Sequence, residues 1–322
     1  MDRKQVIASL LSPSGRGLEI GPSYNPIFPK RSGARVETLD HVDQAGLVEK
    51  YREHPNVDVR RIEPVDFVCD GRSMAEVIGR TGCYDYIVAS HVIEHTPNLV
   101  GFLNDCDLLL NDGGVLLLVV PDKRYCFDAL RPVSSTGDVL QAFWDKRTRH
   151  TPGAVFDHFA YGSRRGEAIA WSSAERTELK LMHTFDEAIF RADGAKDPGP
   201  YVDCHAWRFT PANFRLIAHD LNAIGLIRLK ERGFHGTEGC EFFVSLSRAG
   251  QGPNHSRLEL AQMALREAAQ VRVPRFGRHP LVAAAAGAAV ALGQKWRSAK
   301  RPGISPRALK RMVKRVRRAL HG

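Results

Sequence analysis

Four polar side chains that could do chemistry follow a short apolar run in the middle of the chain. The run Tyr86–Ala89 has the length and composition of a buried strand. It is followed directly by the polar residues Ser90, His91, Glu94 and His95. In open α/β sheets ligands bind at the carboxyl ends of the strands, and histidine has a pKa range suited to moving protons. These four residues therefore predict part of a functional site.

A glycine turn and an acidic residue nearer the N-terminus form a second candidate site. The apolar run Gly17–Ile20 ends at Gly21, where glycine allows a sharp turn and the close approach of a ligand. Asp40 follows about 20 residues later, after the apolar run Ala34–Leu39, where an acid would meet a ribose diol in a doubly wound sheet. Taken alone, Glu19 and Asp40 would be better explained by turn and cap chemistry.

Two further elements make the ligand-binding interpretation the stronger one. Phe67–Cys69 reads as a third strand, with Asp70 after it. Leu108–Pro121 reads as a helix end, a Gly-Gly turn and a near-continuous apolar strand. A strand of that kind is typical of a central parallel strand that is buried on both faces. The order of the elements predicts an α/β fold.

These segments together resemble the class I S-adenosylmethionine-dependent methyltransferases. The motifs that carry the resemblance are Glu19–Pro22, Asp40, Asp70, Tyr84–His95 and Asn111–Gly114. It covers residues 15–121 and extends to about 250 through Val202–Pro211 and Glu241–Ser247. It implies a Rossmann-like, doubly wound, mostly parallel seven-stranded sheet with an insertion after the fifth strand.

The resemblance also implies S-adenosylmethionine as the cofactor. The residues that it assigns to the cofactor are Glu19, Gly21, Ser23, Asp40, Asp70, Ser90 and His91. The first two would shape the methionine end of the pocket, the two aspartates would meet the ribose hydroxyls and the adenine amine, and the last two would floor the site. Such families usually have a second glycine where Ser23 stands, which predicts a tighter or displaced loop.

An insertion at about 122–206 supplies the candidate acceptor side, because insertions over this edge of a sheet usually build the substrate pocket. Methyl transfer is an in-line attack on a sulfonium methyl, and a hydroxyl acceptor also needs a general base. We expect that base among His95, His158 and His205, with Lys123 near the donor methyl. Asp203, His205 and Trp207 alternate and would share one strand face.

Each of these assignments has an ordinary alternative. Lys123 and Arg124 could form surface ion pairs with Asp122 and Asp128. His158 lies between aromatic residues and could equally be a packed histidine. No metal site is expected, since the acids at 40, 70 and 85 form no evident cation cluster. The six cysteines show neither metal-ligand spacing nor a disulfide framework. Residues 21–26 lack the glycines of a nicotinamide-binding turn.

Positive charge is concentrated at the C-terminus. The chain carries a formal net charge of +10, yet residues 272–322 hold 14 Lys and Arg and no acid, which leaves 32 basic against 36 acidic residues elsewhere. The slightly acidic body argues against a nucleic-acid groove across it. We expect a methyltransferase domain over 1–250 and a helical linker with a basic amphipathic tail over 251–322.

The tail contains two segments of helical character. Residues 281–293 are rich in alanine and too short to span a bilayer. In 305–320 a narrow apolar stripe faces a wide basic arc, a pattern that suits an anionic membrane surface. A solvated or disordered tail is an equal alternative, and nucleic acid is a less favoured third. The N-terminus lacks the apolar run of a signal peptide, so we expect a cytoplasmic protein, peripheral at the inner membrane face if the tail binds there.

The stretch from His91 to Tyr125 further resembles bacterial methyltransferase-domain proteins associated with glycan biosynthesis. The sequence hypothesis is therefore an enzyme that O-methylates a sugar hydroxyl of a bacterial surface glycan or its lipid-linked precursor. A small-molecule or protein methyltransferase is one alternative. A cofactor-binding scaffold without turnover, acting in a glycan-assembly complex, is another.

Overall fold

A computed structural model describes residues 2–270 except 56, 70, 176 and 197–200. The strands in this part of the chain are β1 (Gly17–Ile20), β2 (Val36–Asp40), β3 (Phe67–Val68), β4 (Tyr84–Ser90), β5 (Leu110–Pro121), β6 (Ser163–Arg165), β7 (Leu179–Leu181), β8 (Lys230–Glu238) and β9 (Glu241–Ser247). Seven of them form one sheet in the order β3-β2-β1-β4-β5-β9-β8, and β6 and β7 form a separate antiparallel pair.

Helices surround this sheet and fill the insertion. They are α1 (Arg3–Leu10), α2 (Gln44–Tyr51), α3 (Met74–Ile78), α4 (Leu99–Leu109), α5 (Thr136–Trp144), α6 (Pro152–Tyr161), α7 (Phe185–Gly194), α8 (Pro211–Ala223) and α9 (Arg257–Ala268). Most begin at a Ser, Thr, Asp or Asn side chain that accepts a hydrogen bond from the first turn. Short 3₁₀ turns at Ile93–His95, Lys123–Tyr125 and Phe127–Leu130 carry residues of the candidate site.

The pairing of the strands confirms the predicted Rossmann-like sheet. β1 pairs in parallel with β2 and β4, β2 with β3, and β4 with β5, whereas β9 runs antiparallel to β5 and β8. The parallel strands β1, β2, β4 and β5 therefore end at the same edge. Gly21, Asp40, His91 and Asp122 lie at these strand ends, so the candidate residues from distant parts of the sequence meet there.

The strand β5 shows why its apolar run is almost continuous. Leu116, Leu118 and Val120 pack into a cluster on one face of the sheet, and Leu117 and Val119 pack into a second cluster on the other face. Alternate side chains of a strand point to opposite faces, so burial of both faces requires an apolar residue at every position.

Four strands differ from the prediction in their bounds. β3 ends at Val68 instead of Cys69, and β4 extends from Tyr84 to Ser90 instead of from Tyr86 to Ala89. β2 begins two residues later than Ala34 and includes Asp40, so that the carboxylate stands on the last strand residue. The predicted Gly-Gly turn is instead part of β5: the register shifts between the pairs Tyr84–Leu110 and Tyr86–Val115, which leaves residues 111–114 in an irregular stretch.

The end of the insertion is not the strand that its alternating residues predicted. Residues 201–208 have no regular secondary structure and pair with no strand in the described part of the chain. The amides of Ala206 and Trp207 instead donate to the carbonyl of Glu94, over 2.7 and 3.1 Å. The alternation expected of a strand face fails accordingly: Asp203 is largely exposed, whereas His205 and Trp207 are buried.

The helix α9 packs on the body of the domain. Leu260 is buried, Arg257 forms two hydrogen bonds with Asp220 of α8, and Glu267 accepts a hydrogen bond from the amide of Ala212 in the first turn of α8. The compact unit runs from Met1 to Arg272 and so includes residues beyond the boundary predicted near 250.

The two tail segments that the sequence singled out, 281–293 and 305–320, lie outside the described residues. Among the residues that the structure describes, none of the helices combines the length and the apolar character needed to cross a bilayer.

Candidate active site

The turn after β1 accommodates only glycine at its first position. Gly21 has φ +65°, a left-handed conformation that other residues rarely adopt. A Cβ at this position would also lie 2.8 Å from Cγ2 of Val92, in the loop after β4. The two strands are neighbours, with Ile20 beside Ala89 in the register. The turn after β1 and the polar segment after β4 therefore touch.

Ser23 adopts the same left-handed region, with φ +50°. Its amide donates to Asp40 Oδ2 over 3.1 Å, which draws the loop onto the end of β2. Its hydroxyl is buried and has no hydrogen-bond partner in the structure. Serine thus occupies a backbone position that suits the glycine usual in similar enzymes, and it leaves an unpaired hydroxyl in the loop.

Asp40 is buried, and both of its oxygens are held by nearby groups. Oδ2 takes the amide of Ser23, and Oδ1 takes the amide of His41 at 2.8 Å and contacts its Nδ1 at 2.6 Å. A carboxylate has about four lone-pair sites, so lone pairs remain for the hydroxyls of a ribose. This acid and the unpaired Ser23 hydroxyl suit the ribose of S-adenosylmethionine, and on this observation the site fits the cofactor.

Glu19 supports the loop through its own side chain. Its two oxygens accept the amides of Ile27 and Phe28 over 2.6 and 3.0 Å. Burial raises the pKa of Glu19, and the two amide bonds partly oppose that rise. The carboxylate therefore anchors the loop after β1 at Ile27 and Phe28. The Ser90 hydroxyl accepts from Arg3 over 2.8 Å, and Asp70 lies outside the described residues.

Next to the residues that suit the methyl donor, three histidines surround one buried glutamate. His91 Nδ1 lies 3.8 Å from Glu94 Oε1, and Nε2 of both His95 and His205 lies 4.0 Å from the same oxygen. We call these four residues the Glu94 cluster. Neither carboxylate oxygen of Glu94 has a hydrogen-bond partner, although the side chain is only 1% exposed. The structure thus brings together two of the predicted bases, His95 and His205.

Each histidine of the Glu94 cluster is held by a second carboxylate through its other ring nitrogen. The pairs are His91 with Glu241 at 2.8 Å, His95 with Asp203 at 2.8 Å and His205 with Asp128 at 2.5 Å. Asp128 also binds Arg131 over 2.6 Å. These bonds fix the orientation of the rings, so that a nitrogen of each faces Glu94.

Charge shifts the titration of these groups. Burial alone would lower the pKa values of His91 and His95, but their carboxylate partners and the charge of Glu94 outweigh it and raise both. Asp128 shows the reverse balance, because His205 and Arg131 overcome its burial and hold its pKa far below the usual range. Strongly shifted groups at a sheet edge are typical of functional sites.

His158 and Lys123 are placed differently from the other candidates. His158 packs against Phe127 and Phe159, and its Nδ1 accepts the backbone amide of His205 over 3.1 Å. Burial lowers its pKa to about 3. The ammonium of buried Lys123 donates to the carbonyl of Ala129 over 3.0 Å, which ties it to the turn that carries Asp128. Both residues therefore contact the Glu94 cluster indirectly, His158 through the backbone of His205 and Lys123 through the turn that carries Asp128.

Arg124 does pair with Asp122, but not at the surface. The pair is bidentate and its side chains are 8% and 0% exposed. The Thr237 hydroxyl donates to the same aspartate over 2.6 Å. The pair fixes the exit of the chain from β5.

Sequence reasoning gave no role to three carboxylates at the site. The sequence marks Glu94 only as part of a polar run, Asp128 only as a partner in an ion pair, and Glu241 only as the first residue of a strand. The available signal was spacing: His91, Glu94 and His95 stand at positions that one turn brings to a common side. Glu241 is also a charged residue at the start of an otherwise apolar, buried strand.

A cleft of about 180 Å³ adjoins the Glu94 cluster through Ala206 and Trp207, which follow His205 in the chain. Its charged lining comes from Asp138, Arg147, Arg149, Asp157 and Arg208, and His150 adds a polar ring. Trp207 supplies an apolar wall, and its indole donates to the carbonyl of Thr96. The lining combines apolar and charged groups, as a site for a polar ligand does.

Comparison with known proteins gives one family and several distant structures. Residues 2–177 match the model of a methyltransferase domain family. No curated protein matches the chain. The similar solved structures include the CcbJ methyltransferase from Streptomyces caelestis, at 13% identity over 76% of this chain and 93% of that one, with a TM-score of 0.38.

Two other structures are comparably distant. A SAM-dependent methyltransferase from Methanosarcina mazei has 13% identity over 78% of this chain and 100% of that one, with a TM-score of 0.37. The glycopeptide N-methyltransferase MtfA complexed with sinefungin has 13% identity over 76% and 91%, also with a TM-score of 0.37. The family match, by contrast, spans more than half of the chain, and the sheet order is the one predicted for this fold. The chain therefore belongs to the methyltransferase domain family, as an S-adenosylmethionine-dependent enzyme.

Proposed function

We propose that the protein methylates the oxygen of a sugar hydroxyl, in a bacterial surface glycan or its lipid-linked precursor. The observation that carries the proposal is the Glu94 cluster next to the donor turn. An amine acceptor needs only to be neutral, whereas a hydroxyl must lose its proton as it attacks. Histidines oriented by carboxylates are the means by which proteins move such a proton.

The position of the Glu94 cluster supports this chemistry. Gly21 and Val92 are in contact range, and His91 comes immediately before Val92, so the cluster begins one residue from the donor turn. An acceptor oxygen bound at the cluster would therefore lie near the methyl group of a cofactor held by Asp40. His95 is one third exposed, which gives an acceptor access from solvent.

The adjoining cleft supports a polar acceptor. Its arginines suit phosphate or the acidic groups of a glycan. The resemblance to glycan-associated methyltransferases favours the same class of acceptor.

The experiment supplies S-adenosylmethionine with a labelled methyl group and a panel of acceptors. The panel contains nucleotide sugars, extracted lipid-linked sugars, a set of small amines and a protein extract. We expect a methoxy group on a sugar, located by mass spectrometry. Label on an amine or on protein would replace this proposal with the corresponding alternative. Cofactor binding without turnover on any acceptor would favour the scaffold.

A pair of variants tests the acceptor side. His205→Gln should lower turnover at least tenfold while the affinity for S-adenosylmethionine stays unchanged, because His205 belongs to the Glu94 cluster. His235→Gln, on the far strand β8, serves as the control and should leave both values unchanged. Loss of cofactor affinity in His205→Gln would contradict the assignment of His205 to the acceptor side of the pocket.

A further inference from the structure

Glu94 presents an unusual electrostatic situation. Its carboxylate is buried, and neither oxygen accepts a hydrogen bond. One imidazole nitrogen from each of His91, His95 and His205 lies 3.8–4.0 Å from Oε1. An unpaired buried carboxylate is costly, so native proteins pair it, protonate it or place it on a metal ion. Here the imidazole nitrogens are too far for hydrogen bonds yet all point toward Oε1.

The spacing of these groups suits an ion between them. One ligand atom from each of Glu94, His95 and His205 lies within 4.8 Å of the others. Bonds of about 2.0–2.2 Å from zinc to histidine nitrogen or carboxylate oxygen place tetrahedral ligand atoms roughly 3.4 Å apart. Small side-chain movements would close the site. Two histidines and one carboxylate leave a coordination position open, as catalytic sites do.

The outer contacts are those of metal-binding histidines. Asp203 accepts from His95 and Asp128 accepts from His205, each at the nitrogen that points away from Glu94. A carboxylate at that nitrogen fixes the tautomer and makes the inward nitrogen a better ligand. Asp128 is itself held by Arg131, and the backbone of Glu94 binds the segment that carries His205.

We propose that Glu94, His95 and His205 bind one divalent transition-metal ion, such as Zn²⁺, with a coordination position open to the acceptor. The three ligands come from a turn after β4 and from the end of the insertion, so only the folded chain brings them together. The acids at 40, 70 and 85, whose arrangement predicts no metal site, do not belong to this group.

The role of the ion rests on the proposed function, although its binding does not. At its open position the ion would favour loss of the proton from an acceptor hydroxyl, and His91, the histidine of the Glu94 cluster that is not a ligand, would take up that proton. An oxygen lone pair then attacks the methyl carbon of S-adenosylmethionine, and the C–S bond breaks with its electron pair passing to sulfur. The products are the methyl ether and S-adenosylhomocysteine.

The test titrates Zn²⁺ into the full chain, previously dialysed against a chelator, by calorimetry. We expect one ion per chain. Glu94→Gln and His95→Gln should weaken binding by more than the roughly 10–100-fold loss typical of outer contacts, and Asp203→Asn should show that smaller loss. His95 is partly exposed, so the His95→Gln variant should fold without leaving a cavity in the core. His235→Ala is the matched histidine control and should bind as the unmodified chain does.

Co²⁺ provides a second measurement that does not depend on activity. Its visible absorption should show nitrogen and oxygen ligands in the unmodified chain and should change in His95→Gln but not in His235→Ala. Absence of a stoichiometric site, or equal affinity in folded Glu94→Gln and His95→Gln, would overturn the proposal. Methyl transfer to a hydroxyl that persists in full after metal removal would overturn the catalytic role alone. A metal-loaded chain that methylates no hydroxyl would instead count against the proposed function.

Discussion

Asp40 is the residue whose replacement most directly tests the donor side. Asp40→Ala removes a charged acceptor for the ribose hydroxyls, an interaction worth about 1.5–3 kcal/mol, so affinity for S-adenosylmethionine should fall at least tenfold. Calorimetry on the folded variant measures this. Asp43→Ala, which removes the N-cap of α2 three residues further on, is the control and should bind the cofactor normally. Unchanged affinity in Asp40→Ala would reject the ribose assignment.

Ser23 carries a second prediction, which concerns its left-handed backbone. Ser23→Gly should be tolerated, with a free energy of unfolding within about 1 kcal/mol of the unmodified chain, since glycine adopts this conformation freely but orders at a higher entropic cost. Ser23→Val should lower that free energy by about 1–2 kcal/mol, because a β-branched side chain is strained there. Denaturant unfolding compares the two. Equal stability of both variants would mean that the loop does not impose positive φ.

At the scale of elements, the ion pair between α8 and α9 predicts a pH dependence. Burial opposes ionisation of Asp220, but Arg257 and the Thr136 hydroxyl outweigh it and lower its pKa. A lowered folded-state pKa stabilises the protein above the unfolded value of about 3.9, and this stabilisation is lost as the pH falls through the folded-state pKa. Asp220→Asn should therefore melt at a lower temperature than the unmodified chain at pH 7, and the difference should shrink below about pH 4.

Thermal unfolding of both proteins across that pH range is the measurement. Glu53→Gln, at an exposed position on the surface after α2, is the control and should track the unmodified chain at every pH. A difference between Asp220→Asn and the unmodified chain that stayed constant into acid would contradict the assignment of the shift to Asp220.

The elements of the sheet could be predicted because their signal is local. β1, β4, β5 and β9 are short apolar runs that are buried on both faces, and each is evident within about ten residues of sequence. Asp40 could be placed for the same reason, as an acid at the end of such a run.

The Glu94 cluster could be predicted only in part because its contacts are not local. His91, Glu94 and His95 were visible as one motif, but the carboxylates behind them come from the insertion and from β9. The alternation of Asp203, His205 and Trp207 predicts a strand, whereas the position of this segment depends on two amides that bind the carbonyl of Glu94. No local pattern encodes that contact.

At the scale of the whole molecule, the chain combines a slightly acidic body with a strongly basic C-terminal stretch. We propose that this stretch binds an anionic membrane surface, where each basic residue contributes about 1 kcal/mol. The full chain should sediment with anionic vesicles, less so at high salt, whereas a chain ending at Gln270 should stay in the supernatant. The shortened chain retains α9 and the whole sheet, so it should bind S-adenosylmethionine with unchanged affinity.

Neutral vesicles are the control for this experiment and should retain neither form. Equal partitioning of both forms between anionic vesicles and buffer would contradict membrane binding. Stronger retention of the full chain by nucleic acid than by vesicles at the same salt would assign the stretch to a different partner.

The two halves of the site also differ in how much chain must be ordered to build them. The bond from Ser23 to Asp40 joins residues 17 positions apart, whereas the bonds of His205 to Asp128 and of His95 to Asp203 span 77 and 108 positions. Closing a longer loop costs more entropy, so we expect the acceptor half to be assembled later and to open first. Under mild denaturant the enzyme should therefore pass through a state that still holds its methyl donor but has lost the means to use it.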